Sequence, residues 1–315
     1  MNISDEIMQE KHQPVLLQEA IDGLAIQPEG VYVDGTFGRG GHSQAILDRL
    51  SSKGKLLAID KDLAAIQFAK EHFEHDERFQ IRHGSFTKIS EFMNELGLST
   101  IDGLLLDLGV SSPQLEKAER GFSFLKEGPL DMRMDVSKGM DAASWVQQVA
   151  EEELVTVLKE YGEERFSKRI ARAIVSVRQE HSIRTTTALA RIVEQAVPVR
   201  EKNKHPATRT FQAIRIYLNR ELEELEQCLE DSLEYLRIKG RLVVISFHSL
   251  EDRIVKRFIK KNVKGDPFPP GLPVRQKELN PRLKAIGRAI RPSMSEVQFN
   301  PRARSAVLRI AEKIG

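Results

Sequence analysis

The residues of this chain best suited to chemistry lie in one stretch, Asp34-Gly-Thr-Phe-Gly-Arg-Gly-Gly-His-Ser43. Its glycines permit a sharp turn and a close approach of backbone to ligand. The stretch lies between a strand-like and a helix-like segment, where open α/β sheets bind ligands at the carboxyl ends of their strands. A GxxxxGK[ST] phosphate cradle is excluded, because no lysine follows the glycines. A GxGxxG dinucleotide fingerprint needs glycine at position 43, which is Ser43. Three acids bear on the same crevice: Asp34 opens the loop, Asp60 ends KLLAID and Asp107 ends IDGLLLD. Singly, each is as readily a helix N-cap or a turn former. Together they would repel a pyrophosphate and suit a ligand with a cationic amine, a sulfonium and a ribose diol. S-adenosylmethionine has all three, with Asp60 placed to accept hydrogen bonds from the ribose hydroxyls.

The elements that must hold these residues alternate. Val31 to Asp34, Lys55 to Asp60, Phe79 to His83 and Ile101 to Asp107 read as strands, separated by helical spacing in His42 to Leu50 and Leu63 to Phe73. The nearly unbroken apolar run before Asp107 fits a strand buried on both faces. Right-handed crossovers then give a doubly wound α/β domain. After Asp107 the rhythm breaks into turn formers, followed by a helical tract from about Ala142 to Val197. Strand character returns at Arg241 to Phe247, followed by a helix at Leu250 to Ile259, a Pro/Gly-rich basic loop and a last strand at Ser305 to Ile310. The expected organisation is a discontinuous α/β domain, 1–111 with 215–315, interrupted by a mainly helical insert at 112–214.

The chain has 315 residues, 40% hydrophobic and 30% charged, with a formal net charge of +2. That composition argues against disorder or a fibrous repeat. The small net charge conceals an asymmetry. Residues 1–164 hold 16 Lys/Arg against 30 Asp/Glu, residues 165–220 hold 13 against 3, residues 221–236 hold 0 against 7, and residues 237–315 hold 19 against 6. Two basic blocks flanking an acidic body point to a polyanionic partner, since clustered cations gain affinity by releasing phosphate counterions; the plainer alternative is a solvated helix surface. Cys228 is the only cysteine, so neither a disulfide framework nor a cysteine-built metal site is expected. It lies in the acidic helix-like LEELEQCLEDSLEYL, which suits a packing role and disfavours methylation at carbon, a reaction that needs a thiolate nucleophile. The opening MNISDEIMQEKHQ lacks the cationic, apolar build of a signal peptide, and no apolar run is long enough to span a membrane. A cytoplasmic protein is expected.

Beyond these readings the chain resembles the bacterial 16S (small-subunit) rRNA cytosine-N4 methyltransferases, the MraW-like family. The resemblance rests on HQPVLLQEA (His12 to Ala20), YVDGTFGRGGHS (Tyr32 to Ser43), LLAIDKD (Leu56 to Asp62), the run from Asp102 to Asp135 and YGEERFSKRIARAI (Tyr161 to Ile174). HPATRTFQAIRI (His205 to Ile216), ISFHSLEDRIVKRF (Ile245 to Phe258) and NPRARSAVLRI (Asn300 to Ile310) extend it over nearly the whole chain. It implies a Rossmann-like class I S-adenosylmethionine-dependent methyltransferase fold with an inserted RNA-recognition domain. It also implies methyl transfer to N4 of a cytidine in the decoding centre, in 16S rRNA within the 30S subunit or a late assembly particle. A homodimer is compatible with it. By the same resemblance Gly40, Gly41 and His42 line the methionine end of the cofactor, Asp60 takes the ribose, Phe86 contacts the adenosine, and Asp107 and Gln114 supply the remaining contacts.

Cytosine N4 is a weak nucleophile, so an enzyme of this kind must align it and offer its proton an acceptor. The acceptor candidates are Asp107, the backbone carbonyls of 108–110, Ser111 and His248. Phe122 and Phe124 could stack on a splayed base or pack the insert. The runs 253–264 and 300–304 could hold phosphates. Three other readings stand beside this one: a non-catalytic RNA-binding assembly factor, an N-methyltransferase acting on DNA or protein, and a dinucleotide oxidoreductase. Ser43 and the acidic crevice disfavour the last.

Overall fold

The computed structural model describes residues 14–199, 201, 205–266 and 279–315. The expectations about the N-terminal segment, His12 and Gln13, and the Pro/Gly-rich loop at 267–278 fall outside the described residues. The chain forms two compact units, Met1–Gly109 with Leu222–Gly315, and Val110–Glu221.

The first unit is built on strands β1 (Val31–Asp34), β2 (Lys55–Asp60), β3 (Phe79–His83), β4 (Ile101–Asp107), β5 (Leu236–Ser246), β6 (Leu283–Ala285) and β7 (Val307–Lys313). They form one sheet in the order β3-β2-β1-β4-β5-β7-β6. β1 to β5 are parallel, and β7 runs antiparallel to both β5 and β6. An all-parallel dinucleotide sheet would place its sixth strand directly beside the fifth. Here an antiparallel strand lies between them, so the sheet is that of the expected class I methyltransferase fold.

Burial alternates along the strands with the period of two that the pleat imposes. Tyr32, Leu56, Ala58, Leu105, Val243 and Ile245 pack on one face, against helices α1 (Leu17–Leu24), α2 (Gly41–Leu47) and α3 (Leu63–Phe73). Val33, Leu57, Ile59, Leu104, Leu106 and Val244 pack on the other, against α4 (Ile89–Glu95) and two later helices, Glu221–Tyr235 and Ser249–Lys264. Both faces are therefore dry, which is why the strands read as apolar runs. Asp62 starts α3 as its N-cap, accepting the Ala64 N–H at 3.0 Å.

Between Val110 and Glu221 lie α5 (Ser112–Glu116), α6 (Ala142–Gln148), α7 (Glu151–Glu160), α8 (Ser167–Glu180), α9 (Thr186–Ala196) and α10 (Ala207–Asn219). Their core includes Trp145, Val146, Leu158, Ile170, Ile174, Leu189, Phe211 and Ile214. Asn219 pins the irregular stretch before α6: its Oδ1 accepts the Met134 N–H at 2.7 Å, and its Nδ2 donates to Met132 O at 2.8 Å. The second unit boundary falls after Glu221 because the expected boundary, Ile214, lies within α10. A single left-handed residue, Arg220 (φ 52°), separates α10 from α11 (Glu221–Tyr235).

Two elements differ from expectation. β5 begins at Leu236, ahead of a register shift that contains Lys239 (φ 70°) and Gly240. The helix after it, α12 (Ser249–Lys264), runs past Ile259 because buried Asn262 continues its inner face, while Lys261 and Lys264 suit its C-terminal turn. No described helix is long and apolar enough to cross a membrane.

Candidate functional site

The strand order reverses at β1, the switch point where open α/β sheets bind ligands. Register shapes the crevice there. Asp34, the last residue of β1, pairs with Ala58 on β2 and Leu105 on β4. Both neighbours run two residues further, to Asp60 and Asp107. At about 3.3 Å per residue this makes a notch roughly 6–7 Å deep, with an acid at its floor and one on either flank.

Asp34 is 1% exposed. Its Oδ1 accepts the Thr36 N–H at 3.1 Å, and its Oδ2 accepts the Ser43 hydroxyl at 2.7 Å. Burial outweighs these bonds and pushes the carboxyl up to about 6. Ser43, which excludes a dinucleotide fingerprint, is thus the residue that holds the notch floor. Asp60 ties the loop to β2, its Oδ2 accepting the Gly38 N–H at 2.7 Å and its Oδ1 the Asp62 N–H at 2.8 Å. Removal from solvent raises it to about 6, helped by the negative charges of Asp62 and Asp34.

Asp107 is held by its own amide, which donates to Thr36 Oγ1 at 2.6 Å. One side-chain oxygen, Oδ2, faces His42 Nδ1 at 3.6 Å, and the other is buried without a hydrogen-bond partner among the described residues. Burial first, then the charges of Asp34 and Glu251, raises this carboxyl well above the usual range. His42 is 5% exposed, and burial holds its imidazole down at about 4, so it is neutral at physiological pH.

The loop glycines have distinct reasons. A Cβ on Gly41 would stand 2.3 Å from the Pro14 ring, and one on Gly40 (φ +74°) would stand 2.7 Å from the Phe73 ring. These two glycines let the start of α2 pack. At Gly38 (φ +57°) a Cβ would meet only Thr36 O, at an ordinary 3.9 Å, so its glycine answers to the left-handed backbone and not to crowding. At Gly35 a Cβ would meet Leu106 at 2.6 Å and Phe86 at 3.1 Å. Phe86 itself is partly buried in a short 3-10 turn, Phe86–Lys88.

One anchor of that turn was not anticipated. Glu224 on α11 accepts the Ser85 hydroxyl at 2.6 Å and pairs with Lys61 at 2.5 Å, bracketing the segments after β2 and β3. His248, a proton-acceptor candidate, is the N-cap of α12: Glu251 N–H donates to its Nδ1 at 3.4 Å, and its Nε2 lies 3.1 Å from Glu251 Oε1. Ser111 and Gln114 belong to the second unit and are bound to each other, Ser111 N–H donating to Gln114 Oε1 at 2.9 Å. The spacing Ser-x-x-Gln is a capping-box signature legible in the sequence. Phe122 is buried in the core of the second unit, and Phe124 packs on His205 at 4.6 Å with the rings tilted by 31°.

The family model for the MraW methylase family matches residues 9–314. The chain belongs to the MraW methylase family. Two relatives, each called ribosomal RNA small subunit methyltransferase H, come from Legionella pneumophila strains Corby and Paris. Both are 56% identical over 305 residues, which is 96% of this chain and 99% of theirs. Among solved structures, an rRNA methylase from Streptococcus thermophilus aligns over 96% of this chain and 99% of its own, at 12% identity and a TM-score of 0.44. Cys228 is fully buried, with Sγ 3.7 Å from the Tyr235 hydroxyl, and burial pushes it up to about 12. It is therefore neither ionised nor accessible as a nucleophile.

Proposed function

We propose that this chain transfers the methyl group of S-adenosylmethionine to N4 of a cytidine in the decoding centre of 16S rRNA, by direct displacement without a covalent enzyme intermediate. The observation that carries the reading is the acid-lined notch at the switch point of a MraW-family methylase sheet. A buried, unpartnered Asp107 oxygen suits a cationic or hydrogen-donating ligand, because only such a ligand relieves an uncompensated buried acceptor. In this reading Asp60 takes the ribose hydroxyls, Phe86 borders the adenosine, Gly40, Gly41 and His42 run beside the methionine end, and Asp107 and Gln114 complete the contacts. S-adenosylmethionine, when bound, supplies an electrophilic methyl group on a sulfonium, open to in-line displacement.

The residues of the chain then have two tasks. One is to hold N4 in line, which is an orientation effect. The other is to receive its proton, and Asp107 is the acceptor we favour. Its burial makes the protonated form easy to reach once the amine has reacted, and neutral His42 at 3.6 Å cannot hold the carboxylate in its charged form. The Nδ1 of His248 already accepts the Glu251 N–H as the cap of α12, which argues against it. The substrate is expected as 16S rRNA in the 30S subunit or a late assembly particle, in the cytoplasm.

The test is incubation with methyl-labelled cofactor and naked rRNA, 30S particles or DNA. Label in N4-methylcytidine from rRNA or 30S particles supports the reading, and label in DNA overturns it. Tight cofactor binding with no transfer to any substrate would favour a non-catalytic assembly factor.

A further inference from the structure

The second unit has a pocket of its own, bordered by Glu164, Arg165, Phe166, His205, Pro206 and Arg209. We propose that it is an RNA subsite for one unstacked, amino-bearing nucleobase, adenine or cytosine, other than the base that is methylated. The inference rests on the RNA-substrate reading above and adds a recognition element to it.

Glu164 sets the chemistry. It lines the pocket and is only 6% exposed, and its Oε1 accepts the Phe166 N–H at 2.9 Å, which holds the carboxyl group in place. A carboxylate can only accept hydrogen bonds, so it complements an exocyclic amine and not the carbonyl that uracil presents at the same place. The walls suit a flat ring. Arg165 lies over the Phe166 ring, 5.3 Å from its centroid. His205 packs on Phe124 at 4.6 Å with the rings tilted by 31°, and Phe124 meets Phe211 edge-on at 4.9 Å, so the imidazole is backed by aromatic rings. Its Nδ1 accepts the Ala207 N–H at 3.2 Å, which fixes the plane of the ring. Aromatic and guanidinium planes of this kind are what proteins offer to unstacked RNA bases. Arg209 is paired with Glu201 at 2.6 Å.

Phosphates have a track beside it. Lys168, Arg169 and Arg172 are exposed, and the i+3 and i+4 steps to Arg172 place them on one face of α8, Arg172 lying 3.9 Å from Glu151, while exposed Arg165 just precedes the helix. A strand following that face would keep its backbone on the cations and could turn one base into the pocket beside Arg165.

The experiment compares short oligoadenylate and oligouridylate, about nine nucleotides each, by fluorescence anisotropy. It uses the full chain saturated with S-adenosylhomocysteine, so that adenine cannot enter the cofactor crevice. Oligoadenylate is expected to bind about fivefold more tightly or better. Glu164→Gln keeps an oxygen for the Phe166 amide but adds a donor, and should cut the preference below about twofold. The double variant Lys168→Ala, Arg172→Ala should weaken both oligomers alike and reduce the salt slope by about 1.4. Equal binding of the two oligomers by the parent chain, or a preference that survives Glu164→Gln, overturns the proposal. A second measurement needs no variant: an oligomer carrying 8-azidoadenosine should crosslink to peptides containing Phe166 or His205, and label confined to other peptides overturns the assignment. Methyl transfer to 16S rRNA with no oligomer preference sinks this subsite alone. Absence of transfer to any RNA sinks the reading beneath it.

Discussion

Asp60 Oδ2 accepts the Gly38 amide at 2.7 Å, so the end of β2 and the middle of the glycine loop are held as one piece. The same carboxylate is assigned to the cofactor ribose, and the two roles can be separated. Asp60→Asn keeps one acceptor, for the Gly38 amide, but loses the charge and turns an NH2 toward the Asp62 amide. It should weaken S-adenosylmethionine binding by about 1.5–3 kcal/mol, the range for hydrogen bonds to a charged group, and lower stability by about 1–3 kcal/mol for the backbone donor left without its acceptor. Calorimetry showing parental affinity would remove Asp60 from the site.

The raised acids predict how pH acts. Asp34 and Asp60 titrate near 6 in the folded chain against 3.8 as free groups, so between those values the native state binds protons that the unfolded chain has released. Stability of the cofactor-free protein should fall as pH rises through that window. His42, held near 4 against 6.5, works in the opposite sense, and three raised acids outweigh one imidazole. The melting temperature without cofactor is expected to be lower at pH 7 than at pH 5. Binding of the sulfonium should strengthen over the same interval relative to the uncharged thioether product. A constant ratio of the two dissociation constants would show that the acids do not sense the sulfonium.

Gly38 and Gly40 share a left-handed backbone but differ in surroundings. Gly38→Ala should cost about 1–2 kcal/mol, the conformational penalty alone. Gly40→Ala should add about 1–3 kcal/mol for driving a methyl group into the Phe37 and Phe73 rings. Equal urea midpoints for the two variants would mean that the rings move aside freely.

Cys228→Ala should leave methyl transfer within about twofold of the parent, since a buried, protonated thiol cannot serve as a nucleophile. A collapse of turnover in a folded variant would require a covalent step and a different mechanism.

Much of the first unit was legible from residue order alone. The strands ending at Asp34, Asp60 and Asp107 lie where their apolar runs placed them, because a strand dry on both faces cannot hide its character, and the edge strand β3, with Gln80 and His83 exposed, lies where FQIRH placed it. The notch was not legible, since it depends on which residue of β1 faces Ala58 and Leu105, and register is a property of three strands together. The packing reasons for Gly40 and Gly41 lie with Phe73 and Pro14, distant in sequence from the loop. Glu224 was missed because an acidic helix reads as a solvated face. Only the structure brings it to Ser85 and Lys61.

The antiparallel β7 has a bearing on how the protein is born. The space it fills lies between β5 and β6, and among the described residues β6 has no other strand to pair with. During vectorial synthesis, β5 must therefore wait with a bare edge while the polypeptide between residues 246 and 307 is made. The acid-lined notch rests on β1, β2 and β4, which have emerged by then, so it is framed before the sheet is sealed. Unpaired edges invite wrong partners, which makes that interval the time of greatest exposure to aggregation.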